Sequence, residues 1–353
     1  MSAPAVDGTT PSDAGPDGTT SGTSVVIVSY RTGPVLFDCL TSVLGQVGLD
    51  QAILVDNGND WATRRQLEQW AARDPRLILI TGHGNIGFAA GCNLGAARAE
   101  AHHLLLLNPD CVLEPGTLQA ARSVLRRHPD AWVVTGRLYN SDGTEQRGNR
   151  RNLPTPWSCL VESLRLDRLA PDHPHFARIN LHEAAAFTTV TPVQCISGAF
   201  MFMPREVWRR LDGMDEGYRL HVEDIDFCLR VQRAGGSILF APDIATLHVR
   251  GTSRAFPLAA EWHKARGFIR YFRKHFRGSY SDALLWGISA AVLARLAIRS
   301  LPLTAVWFWE ALTGRPSTIR RTRFGRLLPF APPVESARRA AAPRSTAATR
   351  DSA

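Results

Sequence analysis

Three carboxylates in this chain stand where buried strands are expected to end. Asp56 and Asp110 each follow a run of aliphatic residues, and Asp224 belongs to the acidic segment Glu223-Asp-Ile-Asp226. In open α/β sheets, ligand sites form beyond the carboxyl ends of the strands, because the strands fix position while the loops remain free for chemistry. We therefore predict that the three carboxylates share one cleft at this edge of a sheet.

The acidic segment has both a structural and a catalytic interpretation. It stands at the start of a predicted helix, where the helix dipole favours carboxylates, and Asp226 can pair with Arg230 at an i,i+4 spacing. Asp224 lies between two like charges, and such a setting can raise the pKa of a carboxyl group towards useful basicity. A general base at Asp224 is the catalytic interpretation.

Two further features could bind ligands. His248 ends another apolar run; a lone histidine there is most often a surface or capping residue, but with a carboxylate it could complete a site for a hard metal. The loop from Asn85 to Asn93 contains glycines that permit close approach of a phosphate or base. It lacks the glycine spacing of dinucleotide-binding and P-loop motifs, so neither chemistry is predicted. The turns at Asp56 and Asp110 are, taken singly, also typical of structural turns.

A regular alternation of strands and helices positions these residues. Strands are predicted at 24–30, 52–56, 77–80, 103–107 and 131–135, separated by helices at 34–47, 61–72, 89–99 and 115–127. A strand at 193–203, a short helix at 204–211, a helix at 223–234, strands at 238–240 and 245–249 and a helix at 261–276 follow. This order predicts an α/β fold with a mostly parallel, doubly wound sheet and flanking helices.

The remaining segments define the domain organisation. Residues 1–23 are rich in Gly, Ser, Thr and Pro and are predicted to be disordered, residues 24–277 to form the main domain, and 139–191 to be a substrate-facing insertion on the acceptor side. Within 278–314, apolar runs at 283–294 and 303–309 flank arginines and tryptophans, so amphipathic helices either lie in a lipid headgroup region or pack on the domain as a hairpin. The first run is too short to cross a bilayer.

Charge and cysteine content narrow the function classes. Residues 315–353 contain nine arginines and two acidic residues, a net charge of +7 out of the +9 of the whole chain. We interpret this stretch as a disordered basic tail suited to an anionic membrane surface, and no nucleic-acid interface is predicted. The six cysteines show no C-x-x-C pair, so neither a zinc ribbon nor a disulfide framework is expected and a cytoplasmic protein fits best.

The order of the motifs resembles the inverting GT-A glycosyltransferases of family 2, and within them the bacterial rhamnosyltransferase-like branch. The resemblance runs from about residue 24 to residue 276. In the first half of the chain, it rests on Val26-Ile-Val-Ser-Tyr30 as the opening strand, Val55-Asp-Asn57 as the nucleotide-binding aspartate strand, and Asn85-Ile-Gly-Phe88 with Asn93 as the N-x-G-F-x-x-x-x-N loop. Asn108-Pro-Asp110 stands at the D-x-D position, and Ser197-Gly-Ala199 matches the acceptor-side strand. Glu223-Asp-Ile-Asp226 with Arg230 matches E-D-x-D-x-x-x-R, and His248 stands shortly before Gly251 and Ser253.

The resemblance implies a role for each matched residue. Asp224 would be the catalytic base of a single displacement with inversion, and Asp110 with His248 would hold Mg²⁺ or Mn²⁺ on the diphosphate of the donor. Glu223, Asp226 and Arg230 would support the base. The donor would be a nucleotide sugar, first of all dTDP-L-rhamnose, bound by Ser29, Tyr30, Asp56, Asn57, Asn85, Gly87, Phe88, Asn93, Asn108 and Asp110.

One departure and two rival classes accompany this resemblance. The D-x-D position opens with Asn108 in place of Asp, which leaves Asp110 as its one anionic ligand. A sugar-phosphate nucleotidyltransferase or a non-catalytic nucleotide- or carbohydrate-binding module are the alternatives. The membrane-directed features favour a glycan or polyprenyl-linked acceptor and a peripheral location on the inner face of the cytoplasmic membrane.

Overall fold

The computed structural model describes residues 22–313 except 165, 167–172, 177, 183, 250–251 and 253–256. The predicted tail at 315–353 and residues Gly251 and Ser253 lie outside the described residues. So does the predicted N-terminal segment, except for its last two residues, and Thr23 already belongs to the first strand.

The first third of the chain forms regular β-α units. Strands β1 (Thr23–Ser29), β2 (Leu49–Asp56), β3 (Leu77–Ile80) and β4 (His103–Leu107) alternate with helices α1 (Val35–Leu44), α2 (Trp61–Arg73) and α3 (Phe88–Ala96). Every residue of β1 is buried, as a continuous apolar run in a parallel sheet requires. The strands are short and end at the residues from which the motif loops begin.

The rest of the chain adds shorter strands and longer helices. The strands are β5 (Cys111–Leu113), β6 (Ala131–Tyr139), β7 (Arg150–Arg151), β8 (Thr191–Pro192), β9 (Cys195–Ile196), β10 (Phe200–Pro204) and β11 (Ser237–His248). The helices are α4 (Thr117–Arg127), α5 (Pro156–Leu164), α6 (Arg205–Arg210), α7 (Glu223–Arg233), α8 (Pro257–Phe276) and α9 (Asp282–Thr313), with a 3₁₀ turn at Pro174–Phe176.

Nine of these strands form one central sheet. Its order is β3-β2-β1-β4-β10-β6-β11-β5, with β8 also paired to β11, while β7 and β9 form a separate ribbon. Six strands (β1, β2, β3, β4, β6 and β11) run in one direction, and β5, β8 and β10 run against them. The predicted α/β fold with a mostly parallel sheet and flanking helices is confirmed.

Helices cover both faces of the sheet. Buried residues of α1 and α4, such as Leu40 and Leu118, form the core on one face. On the other face, Cys92 of α3, Phe227 of α7 and Tyr271 of α8 pack together. The helices that carry or neighbour the acidic segment therefore lie on the second face, opposite α1 and α4.

Several element boundaries differ from the sequence prediction by a few residues, and for three strands the prediction was wrong in kind. The strand predicted at 193–203 is interrupted at 197–199, between β9 and β10, because these residues turn into the cleft described below. The two strands predicted at 238–240 and 245–249 form one strand, β11, with a register shift around the proline between Ala241 and Ala245. β5 was not predicted, because three residues are too few to show a period.

The C-terminal apolar runs form one helix, α9, instead of two. The chain reversal that the hairpin alternative needs between the two runs does not occur, and the helix continues through Pro302. A proline in a helix interior costs about 3 kcal/mol. Leu285 and Ser289 of α9 are buried, so the first part of the helix packs against the domain. No helix of the described residues is long and apolar enough to span a membrane.

Candidate active site

The carboxyl ends of three parallel strands bring two of the predicted carboxylate loops together. Ser29 at the end of β1 pairs with Asp56 at the end of β2. On its other side β1 pairs with β4, with Ile27 opposite Leu107, so the loop that begins at Asn108 leaves the sheet at the same edge. Asp56 and the Asn108-Pro-Asp110 turn therefore flank β1.

The turn at 197–199 connects this edge to Asp224. The backbone N–H of Asn108 donates to the carbonyl oxygen of Ala199 at 3.0 Å, and the N–H of Gly198 donates to Asp224 Oδ2 at 3.1 Å. A Cβ at Gly198 would lie 3.2 Å from Asp224 Cβ and 3.8 Å from the ring of Phe88. The candidate base, the D-x-D-like turn and the N-x-G-F loop are therefore all neighbours of the 197–199 turn.

Asp110 and His248 form the candidate metal site. Both side chains are buried, and His248 Nε2 lies 3.1 Å from Asp110 Oδ1. Thr252 donates a hydrogen bond to Asp110 Oδ2 at 2.9 Å. Burial alone would raise the pKa of Asp110, but the hydrogen bonds from His248 and Thr252 and the charge of His248 outweigh it, so this pKa lies below its ordinary value. Asp110 is therefore an anionic ligand at neutral pH.

Gln146 fixes which nitrogen of His248 faces Asp110. Its amide nitrogen donates to the carbonyl oxygen of His248 at 3.2 Å and to Asn140 Oδ1 at 3.1 Å, so its oxygen is the atom that lies 2.6 Å from His248 Nδ1. His248 Nδ1 must then carry a proton. When the imidazole is protonated, Nε2 donates to Asp110 Oδ1. In the neutral imidazole the Nε2 lone pair faces that oxygen, with the amide nitrogen of Asn108 3.4 Å away, and a cation bound there would take both Nε2 and Oδ1 as ligands.

This donor set fits a hard divalent cation. Mg²⁺ commonly takes one or two carboxylates and completes its shell with substrate phosphates and water, and Mn²⁺ accepts imidazole as well. Asp110, Cys111 and His248 have potential ligand atoms within 4.8 Å of one another. Burial raises the pKa of the Cys111 thiol well above its ordinary value, and a sulfur ligand suits softer metals than Mg²⁺ or Mn²⁺. Asp110 and His248 would hold Mg²⁺ or Mn²⁺.

Asp224 lies in an ion pair that the sequence did not reveal. Arg151 Nη2 lies 2.6 Å from Asp224 Oδ2 and 2.6 Å from the carbonyl oxygen of Ile196. Arg151 belongs to β7 and pairs with Cys195 of β9, so the ribbon carries this guanidinium from the 139–191 segment to the base. Burial by itself raises the pKa of Asp224. The charge and hydrogen bond of Arg151 and the N–H groups of Gly198 and Ile225 lower this pKa by more than burial raises it, so it lies below its ordinary value.

The expected rise in the pKa of Asp224 was therefore wrong, and its neighbour shows the rise instead. Glu223 is buried, its Oε2 has no hydrogen-bond partner, and burial together with the charge of Asp224 raises its pKa to about 8. Of two adjacent carboxyl groups, the one that faces Arg151 stays ionised and the other holds its proton at neutral pH. Asp224 is the one available as a base.

Asp226 is the centre of a structural network. It is fully buried and accepts hydrogen bonds from Tyr218 and Arg230 and from Lys274 and His275 of α8. Burial would raise its pKa, but His275, Lys274 and Arg230 lower it well below the ordinary value. The predicted i,i+4 pair with Arg230 is present at 2.7 Å. Asp226 thus fixes the first turn of α7, and Asp224 with it, to α8.

Asp56 is fully buried and its oxygens already have partners. Oδ1 accepts hydrogen bonds from the N–H groups of Gly58 and Asn59 and from the side chain of Asn59, at 2.8–3.0 Å. Oδ2 accepts from Arg64 Nε at 3.1 Å. Ser29, also buried, is bonded to Thr32 and Asn59 in the same turn. Oδ1 already accepts three hydrogen bonds, whereas Oδ2 accepts one, from Arg64, and could accept another from a ligand.

The N-x-G-F loop is held close to Asn57 and to the loop before α7. Asn57 Nδ2 donates to the carbonyl oxygen of Gly87 at 2.8 Å, while Asn57 Oδ1 is buried without a partner. Asn85 Oδ1 accepts the N–H of Gly87, and the N–H of Phe88 donates to the carbonyl oxygen of Arg219. Gly87 has φ of 95°, and a Cβ there would lie 2.9 Å from that same oxygen. Only glycine fits this position without displacement.

Two predicted binding residues stand further from the turn at 197–199. Both ends of the Asn93 amide are engaged with the loop before α7: its oxygen accepts from Met214 N–H, and its nitrogen donates to Met214 O and to Glu216. Asn93 therefore ties α3 to that loop. Tyr30 lies beside Gly58, with the guanidinium of Arg31 5.4 Å from its ring centroid.

Sequence reasoning missed three side chains of the site: Gln146, Arg151 and Thr252. Gln146 and Arg151 come from the segment 139–191, which was predicted to face the substrate but shows no periodicity that would single out a residue. Their roles depend on the β7–β9 pairing and on a hydrogen bond across about a hundred residues, and neither leaves a signal in one sequence.

Comparison with known proteins agrees with this geometry. The family model described as Glycosyltransferase like family 2 matches residues 21–281. The chain is 25% identical over 311 residues to an N-acetylglucosaminyl-diphospho-decaprenol L-rhamnosyltransferase of Mycobacterium tuberculosis, covering 78% of this chain and 92% of that one. It is 33% identical over 86 residues to rhamnosyltransferase WbbL of Escherichia coli, covering 24% of this chain and 33% of that one.

The fold is similar to that of GalNAc-T7, solved with UDP, GalNAc and Mn²⁺, with a TM-score of 0.54 at 15% identity, over 71% of this chain and 47% of that chain. The protein belongs to the family 2-like glycosyltransferases. It is a glycosyltransferase of GT-A fold, as the resemblance implied.

Proposed function

We propose that this glycosyltransferase transfers a sugar from its nucleotide donor to a hydroxyl of a glycan or lipid-linked glycan by a single displacement with inversion, with Asp224 as the general base. The observation that carries the proposal is the 197–199 turn, which bonds to Asn108 at one end and to Asp224 at the other. An inverting transfer needs a diphosphate site and a base on opposite sides of the anomeric carbon, and this turn separates the two.

Proton transfer and stabilisation of the leaving diphosphate are assigned to opposite ends of the 197–199 turn. Asp224 remains ionised beside Arg151 and accepts the proton of the acceptor hydroxyl as the new glycosidic bond forms. Asp110 and His248 would hold Mg²⁺ or Mn²⁺, which when bound neutralises charge on the leaving diphosphate. Glu223, Asp226 and Arg230 hold the base in place.

The nucleoside of the donor is assigned to the other side of β1. Asp56, Asn57 and the loop of Asn85, Gly87 and Phe88 line that side, with Ser29 and Tyr30 at the end of β1 and Asn93 behind the loop. The partnerless Oδ1 of Asn57 is an acceptor available to a base or ribose donor, because a buried polar atom without a partner favours a ligand that supplies one.

The donor is proposed to be dTDP-L-rhamnose and the acceptor a polyprenyl-linked glycan on the inner face of the cytoplasmic membrane. Similarity to a rhamnosyltransferase named for a decaprenol-linked substrate supports both choices. The exposed apolar side chains of α9 and the +7 segment at 315–353 support a peripheral position at an anionic membrane.

A transfer assay with a panel of nucleotide sugars tests this proposal. Purified protein is incubated with dTDP-rhamnose, UDP-sugars or GDP-sugars and a short-chain lipid-diphosphate GlcNAc acceptor, with Mn²⁺ or with EDTA, and the anomeric configuration of the product is read by NMR. We expect Mn²⁺-dependent transfer with inversion from dTDP-rhamnose. Retention of configuration would contradict the mechanism, and preference for another nucleotide sugar would contradict the donor.

A pair of variants separates the base from general loss of folding. Asp224→Asn should lower turnover by about 10²–10⁴ while donor affinity stays nearly constant. Asp243→Asn, an exposed aspartate of β11, is the matched control and should transfer at the wild-type rate. Wild-type turnover in Asp224→Asn would show that another group is the base.

A further inference from the structure

We propose that α8 and the first half of α9 form one docking surface for the anionic phospholipids of a bilayer, through a stripe of arginines and an adjoining apolar stripe. This inference deepens the proposed function, because it names the surface by which the enzyme would reach a membrane-bound acceptor. It rests on side chains of the folded domain, separate from the segment at 315–353.

The basic stripe runs along the exposed side of α8. Arg266, Arg270 and Arg273 follow an i, i+4, i+7 spacing, which places them on one face of α8 over about 10 Å, and Arg277 comes directly after the end of the helix. Together with Lys274 and Ile269 they line a shallow depression of about 570 Å³. Five cations on this side of α8 and just beyond its end form a patch that a negatively charged bilayer can contact at several side chains.

The acidic groups nearby leave this patch positive. Asp215 pairs with both Arg270 and Lys274, and Lys274 also reaches the buried Asp226. Arg277 lies 3.6 Å from Asp282, and both side chains are about two-thirds exposed, so water screens that pair. No carboxylate in the described part of the chain pairs with Arg266 or Arg273.

Helix α9 carries an apolar stripe, Trp286 and Leu293, that begins beside Arg273 of the basic stripe. The guanidinium of Arg273 lies 3.8 Å from the ring centroid of Trp286, which is 63% exposed. Leu293, seven residues further on, faces the same way and is 41% exposed. Leu285 and Ser289 form the buried side of the same helix turn. The tryptophan and the arginines therefore share one surface, and the domain does not cover it.

This combination fits a lipid headgroup region better than a nucleic acid or a protein partner. Tryptophan beside arginine is typical of the interface, where the indole lies at headgroup level and the cation meets phosphate. Each arginine near an anionic surface strengthens binding by about fivefold. In this arrangement the two helices would lie along the bilayer surface.

The surface is fixed to the catalytic elements. A Cβ at Gly267 of α8 would lie 2.9 Å from Val222, the residue before the acidic segment. Lys274 and His275 of the same helix bond to Asp226. A bilayer held on the outer side of α8 is therefore held at a set distance from Asp224, which suits an acceptor anchored by a polyprenyl chain.

Vesicle binding by the full-length protein tests the proposal. Sedimentation with vesicles of neutral phosphatidylcholine, and of phosphatidylcholine with about one-third phosphatidylglycerol, measures the partition coefficient, with the anionic fraction chosen to give a surface potential of about −30 to −50 mV. Arg266→Gln/Arg273→Gln should lower binding to anionic vesicles by about 25-fold, fivefold for each arginine. Trp286→Ala should lower binding to both vesicle types, because it removes an apolar contact.

A matched control uses arginines on the opposite face of the sheet. Arg126 and Arg127 are exposed at the end of α4, which packs on the other core, so Arg126→Gln/Arg127→Gln removes the same charge elsewhere. Equal losses in the two double variants would overturn the proposal in favour of general attraction by net charge. Unchanged binding in Arg266→Gln/Arg273→Gln would also overturn it, as would a wild-type dimer that Trp286→Ala dissociates in sedimentation velocity.

A parallel assay keeps this result separate from the proposed function. Transfer to a water-soluble acceptor analogue does not need the membrane, so Arg266→Gln/Arg273→Gln should match the wild type there. If neither the wild type nor the variant transfers sugar, the proposed function is contradicted. The vesicle measurement still tests whether α8 and α9 bind anionic lipid.

Discussion

Arg151 and Asp224 form a largely buried ion pair, with Arg151 Nη2 2.6 Å from Asp224 Oδ2 and side-chain exposures of 15% and 14%. The pair joins the segment 139–191, through β7, to the first turn of α7. A carboxylate held by a guanidinium has a lowered pKa and is ionised over a wide pH range, but it is also a weaker base than a free one. For the general base that we propose at Asp224, the pairing therefore favours the ionised form at the expense of base strength.

Removing the guanidinium should shift the pH profile of transfer. In Arg151→Gln, burial of Asp224 is no longer opposed by a cation, so its pKa rises and the acidic limb of kcat/KM should move to higher pH. Arg151→Lys keeps the charge and should restore most of the wild-type profile. Profiles of kcat/KM against pH for the three proteins measure this, and coincident acidic limbs would contradict it.

The same substitution should lower stability in a pH-dependent way. The wild-type pair, with its lowered carboxyl pKa, stabilises the fold above the unfolded pKa of Asp, about 3.9, and this contribution is lost as the pH falls through the folded pKa. Leaving one partner charged and buried costs about 3 kcal/mol at neutral pH. Urea unfolding should therefore show a large difference between wild type and Arg151→Gln at pH 7 and a smaller one at acidic pH.

Gln146 should control metal affinity through His248. In Gln146→Leu, His248 loses the acceptor that holds its Nδ1 proton, so Nε2 is no longer fixed towards Asp110, and Mn²⁺ affinity should fall about 10–100-fold. Electron paramagnetic resonance of free Mn²⁺ in the presence of a nucleoside diphosphate measures this without turnover. Gln146→Glu retains an acceptor and should bind Mn²⁺ more tightly than Gln146→Leu, whereas equal weakening would indicate a packing role only.

Gly87 should tolerate no side chain, because of its contact with Arg219. Gly87→Ala would place a Cβ 2.9 Å from the carbonyl oxygen of Arg219 at a φ of 95°. Gly82 has a φ of 94° with open space around its Cβ position, so Gly82→Ala has the backbone strain without the contact. We expect Gly87→Ala to lose about 1–3 kcal/mol of stability and to weaken donor binding, and Gly82→Ala to lose about 1 kcal/mol with donor affinity intact. Thermal unfolding and donor titration of the two variants decide this.

Much of the fold followed from periodicity along the chain. The buried run of β1 and the spacing of Leu36, Leu40 and Val43 in α1 are dictated by strand and helix periods, and both elements formed as predicted. Elements of two or three residues, such as β5 and β7, are fixed by their partners across the sheet and carry no period of their own. Helix α9 continues through Pro302, so the expectation that a proline separates two helices was wrong here.

The site was predictable where its residues follow strands and unpredictable where they come from the insertion. The position of the Asn108-Pro-Asp110 turn and of Asp224 on either side of the 197–199 turn agrees with what strand ends and the order of motifs led us to expect. The electrostatics could not, because the charge next to Asp224 that determines its pKa is Arg151, seventy-three residues away in sequence, and not its neighbours Glu223 and Asp226. A sequence shows which charges are adjacent along the chain, whereas a pKa depends on which are adjacent in space.

Glu223 should make the wild-type protein less stable as the pH rises, contrary to the usual behaviour of a paired carboxylate. Its pKa is raised to about 8 in the folded state by burial and the charge of Asp224, against about 4.3 in an unfolded chain, so the folded protein binds one proton more between these values. Stability then falls with pH across this window by up to about 1.4 kcal/mol per pH unit.

The variant Glu223→Gln has no proton to lose at this position and should remove this slope. In urea unfolding, the free energy of unfolding of the variant relative to the wild type should therefore rise from pH 5 to pH 8 and stay constant above pH 8. Transfer at pH 7 should change little, because glutamine resembles the protonated acid. Parallel stability curves for the two proteins would show that Glu223 is ionised in the fold and that Asp224 shares Arg151 with a second charge.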